Sequence, residues 1–118
     1  MSFYQKNIGK LGEQKALLFL KDNGFTILKT NFRSRQGEID LIAKKDRTVY
    51  FIEVKTRTSL NKGYPYEAVN KTKIFRLKKT ANYFLLKSNY KDYKLKLGVI
   101  SLVLDKEKDS LKFYDDLE

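Results

Sequence analysis

Two short runs carry the residues best suited to chemistry. In Gly37-Glu38-Ile39-Asp40-Leu41-Ile42 and Val49-Tyr50-Phe51-Ile52-Glu53-Val54-Lys55, charged side chains alternate with apolar ones. A period of two is the mark of a β-strand, whose successive side chains leave on opposite faces. Glu38 and Asp40 then share one face with Ile39 and Leu41 on the other, and Glu53 shares a face with Lys55. If the two runs pair antiparallel about Asp46 and Arg47, the register sets Asp40 directly against Glu53. Two carboxylates at cross-strand distance repel, so the pairing calls for a positive charge between them.

A divalent cation meets that need. Magnesium, or manganese in its place, takes hard oxygen ligands, commonly one or two carboxylates completed by water and phosphate oxygens. Asp40 and Glu53 would hold the ion and the backbone carbonyl of Val54 would complete the protein's share. Lys55 would stand beside it, placed to orient an attacking water or to offset charge building on a phosphate. The chemistry in outline is phosphodiester hydrolysis. The competing reading is a solvated sheet face on which Glu53 and Lys55 pair with their neighbours. Against it, Ile42, Val49 and Phe51 occupy one face of the hairpin and Leu41, Tyr50, Ile52 and Val54 the other, so both sides look covered. Charge inside a sheet covered on both sides is costly and needs a reason.

The elements that would position these groups are legible in the spacing of apolar residues. Asn7 to Asn23 places Ile8, Leu11, Ala16, Phe19 and Leu20 at helical intervals, and Gly24 is suited to end the helix. Phe25 to Phe32, Glu38 to Lys45 and Thr48 to Arg57 read as three strands, the last two forming a hairpin. Gly63 and Pro65 break the chain into a loop from Asn61 to Pro65. Tyr66 to Ser88 returns to helical spacing, with Ile74, Leu77, Ala81, Phe84 and Leu85 on one side and a basic outer face. Leu97 to Leu104 suits a strand buried on both faces, and a last short strand follows near Leu111 to Tyr114. The order is αβββαββ in one domain spanning residues 1–118. A long helix between the third and fourth strands permits a parallel crossover, so the expected fold is α/β, a mixed central sheet with flanking helices.

Composition narrows the chemistry. The 118 residues hold no His and no Cys, which removes zinc fingers, disulfide frameworks, thiol nucleophiles and every His-dependent triad. The N-terminal residues lack a secretory apolar stretch and no window is long enough for a membrane span, so the reading is a cytoplasmic protein. With 25 Lys and Arg against 14 Asp and Glu, the net charge is +11, which favours a polyanionic partner and above all nucleic acid. The charge is lopsided. From Lys62 to Lys96 ten basic residues face two acidic ones, whereas Asp105 to Glu118 is acid-rich. Lysine supplies charge without the planar fork that reads guanine, so the basic helix is suited to phosphates and sequence specificity should be low. Tyr64, Tyr66, Tyr83, Tyr90 and Tyr93 lie among lysines and could stack on bases, but half-buried packing is the favoured role.

The run Asp40, twelve residues, Glu53-Val54-Lys55 resembles the PD-(D/E)xK nuclease signature. More narrowly, Gly9-Lys10-Leu11-Gly12-Glu13, Asn31 and Arg33, the run from Gly37 to Ala43, Phe51 to Arg57 and Lys71 to Ala81 are similar to the YraN-type family of uncharacterised bacterial proteins. The likeness covers most of the chain to about Leu86. It implies a restriction-endonuclease-like core close to that of archaeal Holliday-junction resolvases. In such relatives a helix-borne Glu joins the metal site, and Glu13 occupies that position here. The alternative for Glu13 is a surface carboxylate paired with Lys10 or Lys21. Asp40 and Glu53 would carry over as metal ligands, Lys55 as the catalytic lysine, and Arg33, Arg57, Lys71 and Lys73 as phosphate contacts. The implied function is a Mg²⁺- or Mn²⁺-dependent endonuclease on DNA, branched or single-stranded. The alternative is a non-catalytic nucleic-acid-binding module on the same fold. A homodimer would suit junction substrates by symmetry, though no residue pattern demonstrates one.

Overall fold

The computed structural model describes residues 3–58 and 69–118, the side chains of residues 3–6 excepted. Its elements follow the expected order: α1 (Phe3–Asp22), β1 (Thr26–Ser34), β2 (Gly37–Lys45), β3 (Thr48–Arg57), α2 (Lys71–Lys87), β4 (Lys94–Val103) and β5 (Ser110–Tyr114). The five strands form one sheet in chain order, β1-β2-β3-β4-β5. β3 and β4 run parallel and every other pair is antiparallel. The fold is therefore α/β with a mixed sheet and two helices, compatible with a restriction-endonuclease-like core.

Alternation along the strands divides the core into two layers. Ile42, Val49, Phe51 and Leu97 meet Leu77, Ala81, Phe84 and Leu85 of α2. The intervening residues Leu41, Ala43, Ile52, Ile100 and Leu102 meet Ala16 and Leu20 of α1. The Phe84 ring packs edge-on against Phe32 and Phe51, at centroid distances of 5.3 and 5.8 Å. Such pairs add to the gain from burying apolar area. The helices thus cover opposite faces of the sheet. That arrangement explains why the hairpin is apolar on both sides, and why β4 reads as a nearly continuous apolar run.

Four boundaries move by two residues or more. α1 starts at Phe3, ahead of the expected Asn7. β1 runs on to Ser34, because Arg33 and Ser34 still pair with Glu38 and Gly37. α2 starts at Lys71 and not at Tyr66: the Asn70 side chain accepts the Lys73 amide at 3.0 Å and caps the helix there. β4 starts at Lys94, whose amide donates to the Arg47 carbonyl at 2.9 Å. The expected loop from Asn61 to Pro65, with Tyr64 and Tyr66, lies outside the described residues. Of the remaining tyrosines, Tyr90 and Tyr93 pack edge-on at 5.1 Å beside the α2-side core. Among the described residues no helix is long and apolar enough to cross a membrane.

One face assignment is corrected. Ile39 and Leu41 were expected on a common face, yet Ile39 belongs to the α2-side cluster and Leu41 to the α1-side cluster. The pleat therefore breaks between them, at Asp40. The facing position on β1 breaks too: Thr30 pairs with Leu41 and Phe32 with Ile39, but Asn31 and Asp40 are not partners. Asn31 adopts the left-handed region at φ 51°, which Asn tolerates better than most residues.

Candidate active site

The break at Asp40 builds the site. β2 and β3 pair from Lys45↔Thr48 to Leu41↔Ile52, a register centred on Asp46 and Arg47 as the hairpin arithmetic requires. One further step would set Asp40 against Glu53, and there the ladder stops. The Asp40 carboxylate enters the gap and accepts the Val54 amide through Oδ2 at 2.8 Å. The Arg57 carbonyl accepts from Leu104 beyond the end of β4, so odd-numbered residues of β3 turn their peptide groups toward β4. By alternation the Val54 carbonyl faces β2, into the opened gap.

The gap opens into a cleft of about 650 Å³ bounded by Glu13 of α1, Asp40 of β2, and Glu53, Val54, Lys55 and Arg57 of β3. α1 reaches it because residue 12 is glycine: a Cβ there would collide with the Thr56 hydroxyl. Gly12 lets the helix lie close on β3, which brings Glu13 within electrostatic reach of Glu53. Neither alternative partner, Lys10 or Lys21, forms an ion pair with Glu13 among the described residues.

The electrostatics are those of carboxylates crowded without enough positive charge. Burial, then Glu53, pushes Asp40 up from 3.8 to about 6, although the Val54 amide and Lys55 favour its ionised form. Burial and Glu53 raise Glu13 as well. Lys55 lies 3.3 Å from Glu53, both side chains about one quarter exposed. Burial opposes the Lys55 charge, but a hydrogen bond with Lys73 and the pull of Glu53 and Asp40 outweigh it and raise its pKa. Lys73 moves down, because it bonds to Lys55, is partly desolvated and meets a second ammonium.

This donor set fits a hard divalent cation. Asp40 keeps Oδ1 clear of the Val54 amide, Glu53 and the Val54 carbonyl face the same cleft, and the surplus of negative charge favours an ion. Glu13 stands at the margin: among the described residues no three acidic side chains close into a ready-made cage. Such a site would rely on water and a phosphate for its remaining ligands, as Mg²⁺ commonly does.

The phosphate contacts divide. Arg57 lines the cleft, and its Nε is buried with no hydrogen-bond partner among the described residues. An unmade bond of that kind costs about 1–3 kcal/mol. Lys73 reaches Lys55. Arg33 is exposed and paired with Glu38 at 3.5 Å, at the rim. Lys71 is exposed at the first turn of α2 and lines neither the cleft nor its neighbouring hollow. Sequence reasoning missed Arg76 and Thr80, which border a second hollow behind Glu53. Their signal was the polar spacing Lys73, Arg76, Thr80 on the side of α2 that also carries Leu77.

The profile of the uncharacterised protein family UPF0102 matches residues 12–102. The chain belongs to the UPF0102 family. A UPF0102 protein of Caldicellulosiruptor bescii is 46% identical over 101 residues, 85% of each chain. One of Caldicellulosiruptor saccharolyticus is 41% identical over 107 residues, 91% of each. One of Persephonella marina is 42% identical over 95 residues, 80% of this chain and 82% of the relative. The resemblance to the YraN-type family is thereby borne out. The UPF0102 match begins at Gly12, so it takes in every residue of the cleft named above, whereas β5 and the acid-rich end lie beyond it.

Proposed function

We propose that this UPF0102 protein binds nucleic acid, DNA in preference, and hydrolyses its phosphodiester bonds with Mg²⁺ or Mn²⁺, acting on branched or single-stranded segments. The observation that carries the reading is the broken ladder at Asp40, which sets Asp40, Glu53 and Lys55 around one cleft at a cost in sheet pairing. A purely structural hairpin would have continued the pairing with apolar residues. Asp40 and Glu53, with the Val54 carbonyl, would hold the cation, and Glu13 would act through its nearby charge. When bound, the ion offsets carboxylate repulsion and draws electron density from the phosphate. Lys55 would donate hydrogen bonds to the attacking water or to the charge developing on phosphate oxygens, held in place by Glu53. Arg57, on the wall of the cleft, would set its guanidinium charge beside a phosphate and so align the strand.

The test is cleavage of labelled duplex, single-stranded, flap and four-way DNA with Mg²⁺ or Mn²⁺, wild type against Asp40→Asn and Lys55→Ala. Cutting that both substitutions abolish is the expected result; equal traces from all three proteins refute hydrolysis by this site. A non-catalytic binding module is the second reading, favoured by the lack of a closed three-acid cage among the described residues. Thermal melting separates the two. An ion that binds only the folded state raises the melting temperature. That rise is expected for wild type and is lost in Glu53→Ala if the cleft is the ion's site, whereas a binding module melts alike with or without Mg²⁺.

A further inference from the structure

We propose that the hollow between the start of β2 and α2 is a second phosphate-binding site, in which Lys73 and Arg76 hold the phosphodiester adjoining the one in the main cleft. The inference rests on the nucleic-acid reading above and deepens it by assigning the path of the strand. The hollow, about 230 Å³, is bounded by Gly37, Glu38 and Glu53 on the sheet and by Lys73, Arg76 and Thr80 on α2. It has room for a phosphate with part of its sugar and none for a base pair. Lys73 and Arg76 stand one turn apart on α2 and so project to the same side. Among the described residues neither forms an ion pair with a carboxylate.

Two further features point to an anion, and a third to the path of the strand. The first turn of α2 contains no acidic residue, although the helix dipole favours negative charge there, so its cations are best stabilised by a bound anion. Glu38, an acid that would repel a phosphate, has its charge offset by Arg33 at 3.5 Å. Glu53 lines both the cleft and the hollow, so a strand leaving the cleft crosses one side chain before it meets Lys73 and Arg76. The space depends on Gly37, at φ 145°, where a Cβ would stand 2.7 Å from the Thr80 hydroxyl and fill the gap against α2.

Fluorescence anisotropy of a labelled short single-stranded DNA, with Ca²⁺ replacing Mg²⁺ and across a salt series, tests the assignment on the full chain. Arg76→Gln is expected to weaken binding about 5- to 30-fold and to lower the log-log salt slope by about 0.7, the loss of one phosphate contact. Lys79→Gln, on an exposed part of α2 away from the hollow, is the control and should change the slope less. Arg76 is exposed, so folding is not at stake, and melting temperatures equal to wild type verify this. If Arg57→Gln weakens binding while Arg76→Gln behaves as Lys79→Gln does, the second site is wrong and the main cleft stands. If wild type binds no DNA at all, the nucleic-acid reading falls and this site with it.

Discussion

The two ends of the β2–β3 hairpin are built on opposite rules. From Leu41 and Ile52 toward the turn, pairing is unbroken and Leu41, Ile42, Ala43, Val49, Phe51 and Ile52 are almost entirely buried. From Asp40 and Glu53 outward the ladder is open, a side-chain carboxylate takes an amide that a strand would have used, and charges of both signs crowd a cleft. Only one peptide step separates the regimes. The closed end secures the register, and the open end uses that register to hold carboxylates closer than they would remain by themselves. Apolar burial and charge are thus segregated along one hairpin, and substitutions at the two ends should have effects of opposite sign on stability.

The largest effect belongs to the closed end. Phe51 is fully buried between β2, β4 and the Phe84 ring, so Phe51→Ala is expected to cost about 3–5 kcal/mol, read by urea or thermal unfolding. A smaller loss, under about 1.5 kcal/mol, would mean that the core on the α2 side collapses into the space and that the hairpin does not depend on it.

Gly12 connects the two ends, because it lets α1 lie on β3 where the ladder has opened. Glycine to alanine inside a helix ordinarily stabilises by about 0.5–1 kcal/mol. Here the new methyl meets Thr56, so Gly12→Ala is expected to destabilise by about 1–3 kcal/mol and to move Glu13 away from the cleft. Adding Thr56→Ala removes the hydroxyl and methyl in its way and should recover part of the loss. A simple sum of the two single effects would show that the contact does not set the position of α1.

The hairpin register was legible in advance because it is arithmetic: a two-residue turn at Asp46 and Arg47 leaves Leu41 opposite Ile52 and Ala43 opposite Tyr50. Periodicity likewise distinguished both helices and every strand. The break at Asp40 was not legible. It coincides with Asn31 in the left-handed region and with a carboxylate accepting the Val54 amide, and neither alters the alternating pattern from which faces are read. Lys73 is assigned to phosphate by resemblance, but its electrostatic coupling to Lys55 comes from the packing of α2 on the sheet, a distance in space that residue spacing does not contain. The start of α2 was readable in principle: Asn70, three residues before Lys73, is a capping residue in the right place.

The open end should reveal itself as a region whose charges oppose folding. Asp40 titrates near 6 in the folded chain against 3.8 ordinarily, so between those values the folded state binds more protons than the unfolded one. The sign follows: Asp40 is without penalty below about pH 4, and stability falls as the pH rises through 6. The full shift corresponds to about 3 kcal/mol, and the open cleft lets water and rearrangement reduce this to about 1–2 kcal/mol. Asp40→Asn keeps an acceptor for the Val54 amide and removes the charge. It is therefore expected to be more stable than wild type by that amount at pH 7.5 without metal, and to lose the advantage at pH 4. Glu13, raised by the same two causes, should leave a weaker trend of the same sign in the variant. Under the proposed function, one substitution would remove cleavage and add stability, as expected of a site that concentrates charge. Parallel stability–pH curves for the two proteins would mean that the carboxylates at the open end do not repel, and the case for a cation there would lose its electrostatic ground.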